Sequence, residues 1–209
     1  MRIAGARWDA RGASRGLVQI AHGLGEHIGR YLNLIEVLTD AGLNVYGNDH
    51  RGHGRTASST QQLGDFGTGG FDLLVADMVR LTRIAKEENP GQAVVLLGHS
   101  MGSFAAQQYV LDHSPSIDGL VLSGSGALDG LVRLAKSSPQ GANMLNAPFA
   151  PTRTAFDWLS RDAAVVDAFI WDPLCFAALQ PASQASFFAA TARLADPTKL
   201  REIRKELPI

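Results

Sequence analysis

Apolar residues follow two different spacings along the first 123 residues of the chain. Short runs of aliphatic and β-branched residues have the composition of buried strands. These runs lie at 17–21, 43–47, 94–97 and 118–123. Between them, apolar positions recur every three or four residues, which predicts helices at 31–41, 71–88 and 103–113. Strands that alternate with helices in this way predict a mostly parallel sheet with helices on both faces.

The pattern changes after residue 123, where strand-like runs give way to short helical runs broken by prolines. We predict a core at residues 1–123, a helical cap over the carboxyl edge of the sheet at 124–195, and a return to the core at 196–209. A charged helix opens this last segment, and residues 207–209 have the composition of the start of another strand.

Composition narrows the class of protein. The chain has 209 residues, of which 45% are hydrophobic and 19% charged, with a net charge of −1. This balance is that of a globular domain, and it gives no electrostatic reason to expect a nucleic-acid partner. Cys175 is the single cysteine, so no internal disulfide can form. The N-terminal residues lack the apolar core of a signal peptide, and we expect a cytoplasmic location.

The segment Gly98-His99-Ser100-Met101-Gly102 joins a predicted strand to a predicted helix. A G-x-S-x-G sequence in this setting is typical of a nucleophile elbow, a tight turn that presents the serine hydroxyl. We expect Gly98 and Gly102 to be required because a Cβ there would collide with neighbouring chain. The sequence therefore predicts Ser100 as a nucleophile. An ordinary glycine-rich loop is the alternative.

Acyl transfer by a serine also needs two donors for the developing oxyanion, a base, and a carboxylate that orients the base. The N–H of Met101, at the start of the helix, is one predicted donor. Leu24, in the loop His22-Gly23-Leu24-Gly25 after the first predicted strand, is placed to supply the other.

The base is not evident in the sequence. In this arrangement the carboxylate and the histidine follow the serine, and the only histidine after Ser100 is His113. His113 ends the helix that starts at the serine, about 15 Å or more away at 1.5 Å per residue. We expect the side chain of His99 to point away from the turn. The triad Asp and His are therefore predicted to be absent from this chain.

The sequence gives less support to a metal site or a dinucleotide site. His50 and His53 have a metal-like spacing, but with one cysteine and no H-E-x-x-H motif we predict no metal site and interpret both as bracing a loop. The glycines after the first strand do not match a dinucleotide fingerprint, because Ile28 stands where the third glycine is needed. We predict no cofactor. An ion pair between Asp49 and Arg51 is expected to fix their loop.

Three ordered motifs together resemble the α/β-hydrolase family of monoacylglycerol lipases and lysophospholipases, of the serine aminopeptidase S33 type. They are His22-Gly23-Leu24-Gly25-Glu26-His27, Asn48-Asp49-His50-Arg51-Gly52-His53-Gly54 and the elbow, and Asp172-Pro173-Leu174 in the cap is also similar. The resemblance implies an α/β-hydrolase fold, a Ser-Asp-His triad and hydrolysis of a single-chain lipophilic ester without a cofactor. It also implies an oxyanion hole from the amides of Leu24 and Met101.

The family pattern extends beyond this chain at both ends. It opens with an antiparallel hairpin that is only partly present here, and it continues through two more βα units that carry the triad Asp and His. We therefore expect the C-terminal strands of the fold to be missing and these 209 residues to be part of a longer enzyme.

Two alternatives remain open at this point: a non-catalytic ligand-binding protein with the same fold, and a peptidase or small-ester esterase. Aromatic residues of the cap are candidates to line an acyl site or simply to pack its helices, and the cap is expected to touch membrane surfaces transiently. These residues are Phe149, Phe156, Trp158, Phe169, Trp171, Phe187 and Phe188.

Overall fold

A computed structural model of the chain describes residues 1–130, 133 and 143–209. Its five-stranded sheet has the order β1-β3-β2-β4-β5. The strands are β1 (Gly5–Trp8), β2 (Leu17–Ala21), β3 (Asn44–Asn48), β4 (Val94–His99) and β5 (Gly119–Ser123). The pairings of β2 with β3, β2 with β4 and β4 with β5 are parallel, and β1 alone runs antiparallel. The prediction of a mostly parallel sheet is confirmed.

Helices cover both faces of the sheet and build the cap. They are α1 (Leu32–Asp40), α2 (Gly70–Glu88), α3 (Met101–His113), α4 (Asn143–Asn146), α5 (Ala163–Trp171), α6 (Pro181–Ala189), α7 (Thr191–Leu194) and α8 (Pro197–Glu202). Short 3₁₀ segments lie at Ile28–Tyr31, Gly54–Thr56, Thr60–Gln62, Ser114–Ser116, Ala147–Phe149 and Asp157–Leu159. No helix in the described part of the chain has the length and apolarity needed to cross a membrane.

Two hydrophobic clusters hold the sheet between its helices. Successive residues of β2 point to opposite faces, so Leu17 joins one cluster and Val18 the other. The larger cluster contains Met78 of α2 and Tyr109 of α3, both fully buried. Phe187 of α6 belongs to the same cluster, and the cap helix is therefore packed directly on the core.

The end of the chain lies beside β5. Helix α8 ends at Glu202, because the backbone becomes extended at Ile203. Leu207 is buried, and the N–H of Leu120 donates to the carbonyl oxygen of Pro208 at 2.9 Å. One backbone hydrogen bond thus holds residues 207–209 against the outer edge of β5, although these residues do not form a strand in the structure.

Between 124 and 195 the described residues form helices and turns but no strand. Residues 131, 132 and 134–142, which the predicted cap includes, lie outside the described part of the chain. The boundaries at 123 and 195 stay predictions.

Candidate active site

Ser100 stands at the junction of β4 and α3 in a strained conformation. Its φ of 50° and ψ of −119° make it the one non-glycine residue with positive φ in the described ranges. Such strain is typical of functional turns that the surrounding structure holds in place. The Ser100 N–H donates to the carbonyl oxygen of Ser123 at 2.9 Å, while its own carbonyl accepts from the N–H and hydroxyl of Ser103. The turn is thereby fixed to the end of β5 and to the first turn of α3.

Both elbow glycines lie against backbone. A Cβ on Gly98 would come within 2.5 Å of the carbonyl oxygen of Gly102. A Cβ on Gly102 would lie 2.5 Å from the carbonyl oxygen of His22 and still closer to that of Ala21. Since backbone cannot move aside like a flexible side chain, the expectation that both positions need glycine is confirmed. Gly102 is also where α3 crosses the end of β2.

The loop after β2 lies beside Ser100. A Cβ on Gly23 would stand 3.2 Å from the Cβ of Ser100, which places the following amide, that of Leu24, next to the elbow. Met101 is the first residue of α3, where backbone N–H groups have no partner within the helix. The structure therefore brings together the two segments that carry the predicted oxyanion donors.

Glu26 braces this loop, a role that the sequence did not reveal. Its Oε1 accepts from the N–H of Gly23 at 2.6 Å and from the hydroxyl of Tyr31 at 2.5 Å. Burial and the neighbouring Glu26 carboxylate raise the pKa of Tyr31, so its hydroxyl stays protonated and acts as a donor. One carboxylate thus ties the glycine loop to the segment that precedes α1.

Three buried histidines lie in the loops that follow β2 and β3. His22 donates from Nδ1 to the carbonyl of Gly23 at 2.7 Å and accepts the His50 N–H at Nε2 at 2.9 Å, while His53 donates from Nδ1 to the carbonyl of Arg51. Burial is the main cause that lowers the pKa of His22 well below normal, of His50 to about 3 and of His53 to about 4. All three rings are therefore neutral near pH 7. The ring of His53 braces its loop through the carbonyl of Arg51, as predicted, whereas His50 bonds His22 through its backbone N–H.

The expected ion pair between Asp49 and Arg51 is wrong. Arg51 forms a two-pronged pair with Asp77 of α2, at 2.6 and 3.1 Å. Asp49, with no exposed side-chain surface, accepts from the backbone N–H groups of Ile28 and Arg55. The carboxylate therefore joins two loops, and its main partners are backbone amides.

The remaining histidines near the elbow have other partners. The Nδ1 of His99 lies 3.2 Å from the hydroxyl of Ser123, and its ring lies between Gly23 and Gly124. His113 ends α3 and its ring contacts that of Tyr109. The structure gives neither ring a hydrogen bond to the Ser100 hydroxyl within the described residues.

The cap meets the loop after β2 through a turn at residues 172–176. The N–H of Phe176 donates to the carbonyl of Gly25 at 2.9 Å. The Nε2 of His27 donates to Asp172 at 2.8 Å, and Cys175 lies beside this pair. Because Asp172 is 145 residues away from His27, the pattern of neither segment alone could have revealed this contact.

The structure shows the surroundings of two of the aromatic candidates. Phe187 packs edge-on against Phe71 of α2 and Phe104 of α3, which makes it a core residue that fastens the cap. Trp171 is 82% exposed at the end of α5 and projects into solvent.

A strained serine at a strand-to-helix turn of a mostly parallel sheet, with a helical cap above, defines the class of α/β-hydrolases. A family model described as "Serine aminopeptidase, S33" matches residues 12–204, and the chain belongs to this family.

Curated relatives of the chain include lipases. The monoacylglycerol lipase of Mycolicibacterium smegmatis is 34% identical over 177 residues, which are 83% of this chain and 61% of that protein. The human monoglyceride lipase is 30% identical over 83% of this chain and 57% of its own length. The chain thus spans about three fifths of the length of these relatives. Among solved structures, a carboxyl esterase of Bacillus coagulans in complex with glycerol is similar with a TM-score of 0.82 and 28% identity, covering 99% of this chain and 73% of that one.

Proposed function

We propose that Ser100 is the nucleophile of a serine hydrolase that cleaves carboxylic esters with one lipophilic chain. Monoacylglycerols are the first candidate substrates, and lysophospholipids are the second. The observation that carries the proposal is the strained Ser100 turn with the loop of Gly23 and Leu24 packed beside it.

In this proposal Ser100 Oγ attacks the ester carbonyl, and the N–H groups of Leu24 and Met101 stabilise the negative charge on its oxygen. Loss of one such donor typically raises the barrier by about 3–4 kcal/mol. The base takes the hydroxyl proton of Ser100 during the attack and gives it to the leaving alcohol, and water then hydrolyses the acyl-enzyme. We place the triad Asp and His in a segment outside these 209 residues, because no histidine of the described residues has a hydrogen bond to the Ser100 hydroxyl.

The relatives support a lipophilic ester, since two of them are named as monoacylglycerol or monoglyceride lipases. Exposed apolar side chains of the cap support a transient contact with lipid surfaces, where such substrates reside. They are Leu145, Phe149, Val165, Ile170 and Trp171.

A second candidate is a carboxylesterase that acts on smaller esters. The structural similarity to the Bacillus coagulans carboxyl esterase favours it. Hydrolysis of monooleoylglycerol compared with p-nitrophenyl acetate distinguishes the two, because only a lipase should favour the long chain.

Fluorophosphonate labelling tests the nucleophile and the source of the base. We would label the 209-residue chain and any longer chain that its gene encodes, each beside its Ser100→Ala variant, with circular dichroism to verify folding. We expect slow or no labelling of the short chain and fast, Ser100-dependent labelling of a longer one. Fast Ser100-dependent labelling of the short chain would place the base within these residues. If a folded longer chain does not react with the fluorophosphonate, the proposal that the protein is a serine hydrolase is wrong.

A further inference from the structure

Three side chains of metal-binding type meet where the cap contacts the loop after β2. The ligand atoms of His27, Asp172 and Cys175 all lie within 4.8 Å of one another. All three residues are half-buried, so an ion could reach them from solvent. No local sequence pattern indicates this cluster, because its members come from two segments that only the fold brings together.

The turn at the cap holds two of the ligands in place. Asp172 Oδ1 accepts from the N–H of Leu174 at 2.9 Å, and the Asp172 carbonyl accepts from the N–H of Cys175 at 3.0 Å. Asp172 Oδ2 faces His27 at 2.8 Å. The carboxylate and the thiol are thus presented together by one hydrogen-bonded turn, opposite the imidazole.

The ligand types suit a cation. Asp172 offers a carboxylate oxygen, and a divalent ion deprotonates a coordinating thiol such as that of Cys175. The guanidinium of Arg30 donates to the carbonyl of Val165 and lies over the ring of Phe169.

We propose that His27, Asp172 and Cys175 bind one Zn²⁺ ion. One nitrogen, one oxygen and one sulfur ligand form a set that zinc accepts in tetrahedral geometry, with water in the fourth position. Magnesium and calcium prefer oxygen ligands alone, so the thiol disfavours them. The proposal does not depend on the role of Ser100.

Zinc binding requires small shifts of the three ligand side chains and the movement of two protons. Zinc bonds of about 2.0–2.3 Å place tetrahedral ligand atoms about 3.3–3.5 Å apart, which rotation of the Cys175 side chain and slight opening of the His27–Asp172 pair can provide. The thiol releases its proton to solvent. The Nε2 proton of His27 moves to Nδ1, which gives up the bond it now accepts from the N–H of Gly29 at 3.2 Å. Two hydrogen bonds are exchanged for three coordination bonds.

A bound ion would fasten the loop of the predicted oxyanion hole to the cap. His27 lies three residues after Leu24, and the neighbouring Gly25 already bonds Phe176. The ion would therefore link these two segments and replace the present hydrogen bond between His27 and Asp172.

Titration of the 209-residue chain with Co²⁺ tests the site without any need for catalysis. We expect one equivalent to produce a thiolate-to-cobalt charge-transfer band in the near ultraviolet and tetrahedral bands in the visible, all removed by one equivalent of Zn²⁺. No thiolate band, or binding only at many equivalents, would overturn the proposal.

Variants identify the ligands. Cys175→Ser should abolish the near-ultraviolet band and weaken Zn²⁺ binding, measured by competition with a chromophoric chelator, by about ten-fold or more. His27→Gln and Asp172→Asn should also weaken it, while His113→Gln, outside the cluster, should not. Cys175→Ser changes one atom, and circular dichroism verifies that it folds. Zn²⁺ affinity equal to that of the unaltered chain in a folded Cys175→Ser variant would contradict the site.

Discussion

At the residue scale, Gly102 is a position where substitution should do severe harm. Gly102→Ala forces a Cβ onto the carbonyl oxygens of Ala21 and His22. We expect it to lower the free energy of unfolding by about 3 kcal/mol or more, at the upper end of overpacking costs. Gly126→Ala is the matched control, because a Cβ there meets nothing within 4 Å, and it should stay within about 0.5 kcal/mol. Urea denaturation measures both; equal stabilities would contradict the crossing of α3 over β2.

Glu26 offers a second test at this scale. Glu26→Ala leaves the N–H of Gly23 and the hydroxyl of Tyr31 without their shared acceptor, and we expect a loss of about 1.5–3 kcal/mol in urea denaturation. Glu26→Gln keeps an oxygen in the same place and should recover most of that loss. If Glu26→Gln lowers the free energy of unfolding as much as Glu26→Ala does, the negative charge of Glu26, and not the position of its acceptor oxygen, stabilises the loop.

Residues that act through local chain geometry were predictable. The elbow glycines and Ser100 follow from a motif of five residues between a strand and a helix, and the structure places them in the strained turn that this motif requires. Glu26 was present in the quoted motif, but its bonds to Gly23 and Tyr31 depend on side-chain conformation. The meeting of His27 with Asp172 and Cys175 depends on cap docking, which no local pattern encodes.

At the element scale, the buried histidines join the loop after β2 to the loop after β3. In the folded chain the pKa of His50 is lowered to about 3 and that of His53 to about 4, with His22 also well below normal. The unfolded chain therefore binds more protons below pH 6.5, and stability falls as the pH drops from about 6.5 towards 4. At pH 7 this loss is absent.

The expected size of this effect follows from linkage. Each such histidine contributes about 2 kcal/mol of destabilisation between pH 7 and pH 5. His50→Gln should reduce the difference between urea denaturation free energies at these two pH values by about that amount. The comparison variant is His113→Gln, which lies outside the cluster. A pH difference that His50→Gln leaves unchanged would show that the cluster does not govern acid sensitivity.

Element boundaries show where hydrophobic pattern is informative. Helix α2 and strand β2 lie within one residue of their predicted bounds, because each has a strong apolar face or run. Strand β1 was not predicted as a strand from its own pattern, since Trp8 is its only large apolar residue and its burial alternates only weakly. It exists because its backbone pairs with β3, from Gly5 opposite Asn48 to Trp8 opposite Val45.

At the scale of the whole molecule, the cap and the core share one hydrophobic cluster, so we expect them to unfold together. Phe187→Ala removes the ring that joins α6 to α2 and α3 and should cost about 3–5 kcal/mol. Trp171→Ala, at a side chain that is 82% exposed, should change stability by less than about 0.5 kcal/mol. Far-ultraviolet circular dichroism in urea measures both. Two separate transitions, with Phe187→Ala affecting only one, would show that the cap folds independently.

The hydrogen bonds that dock the cap have a consequence for how such a protein diversifies. On the core side, four of them use backbone atoms: the carbonyls of Gly25 and Gly64 and the N–H groups of Phe66 and Phe71. The side chains of His27 and Arg30 supply two others. Backbone groups persist whatever side chains the core acquires. Cap sequences can therefore drift, or be randomised in a library at residues 153–170, while the anchoring points stay constant. Selection for new substrates can act on the cap with the elbow left untouched.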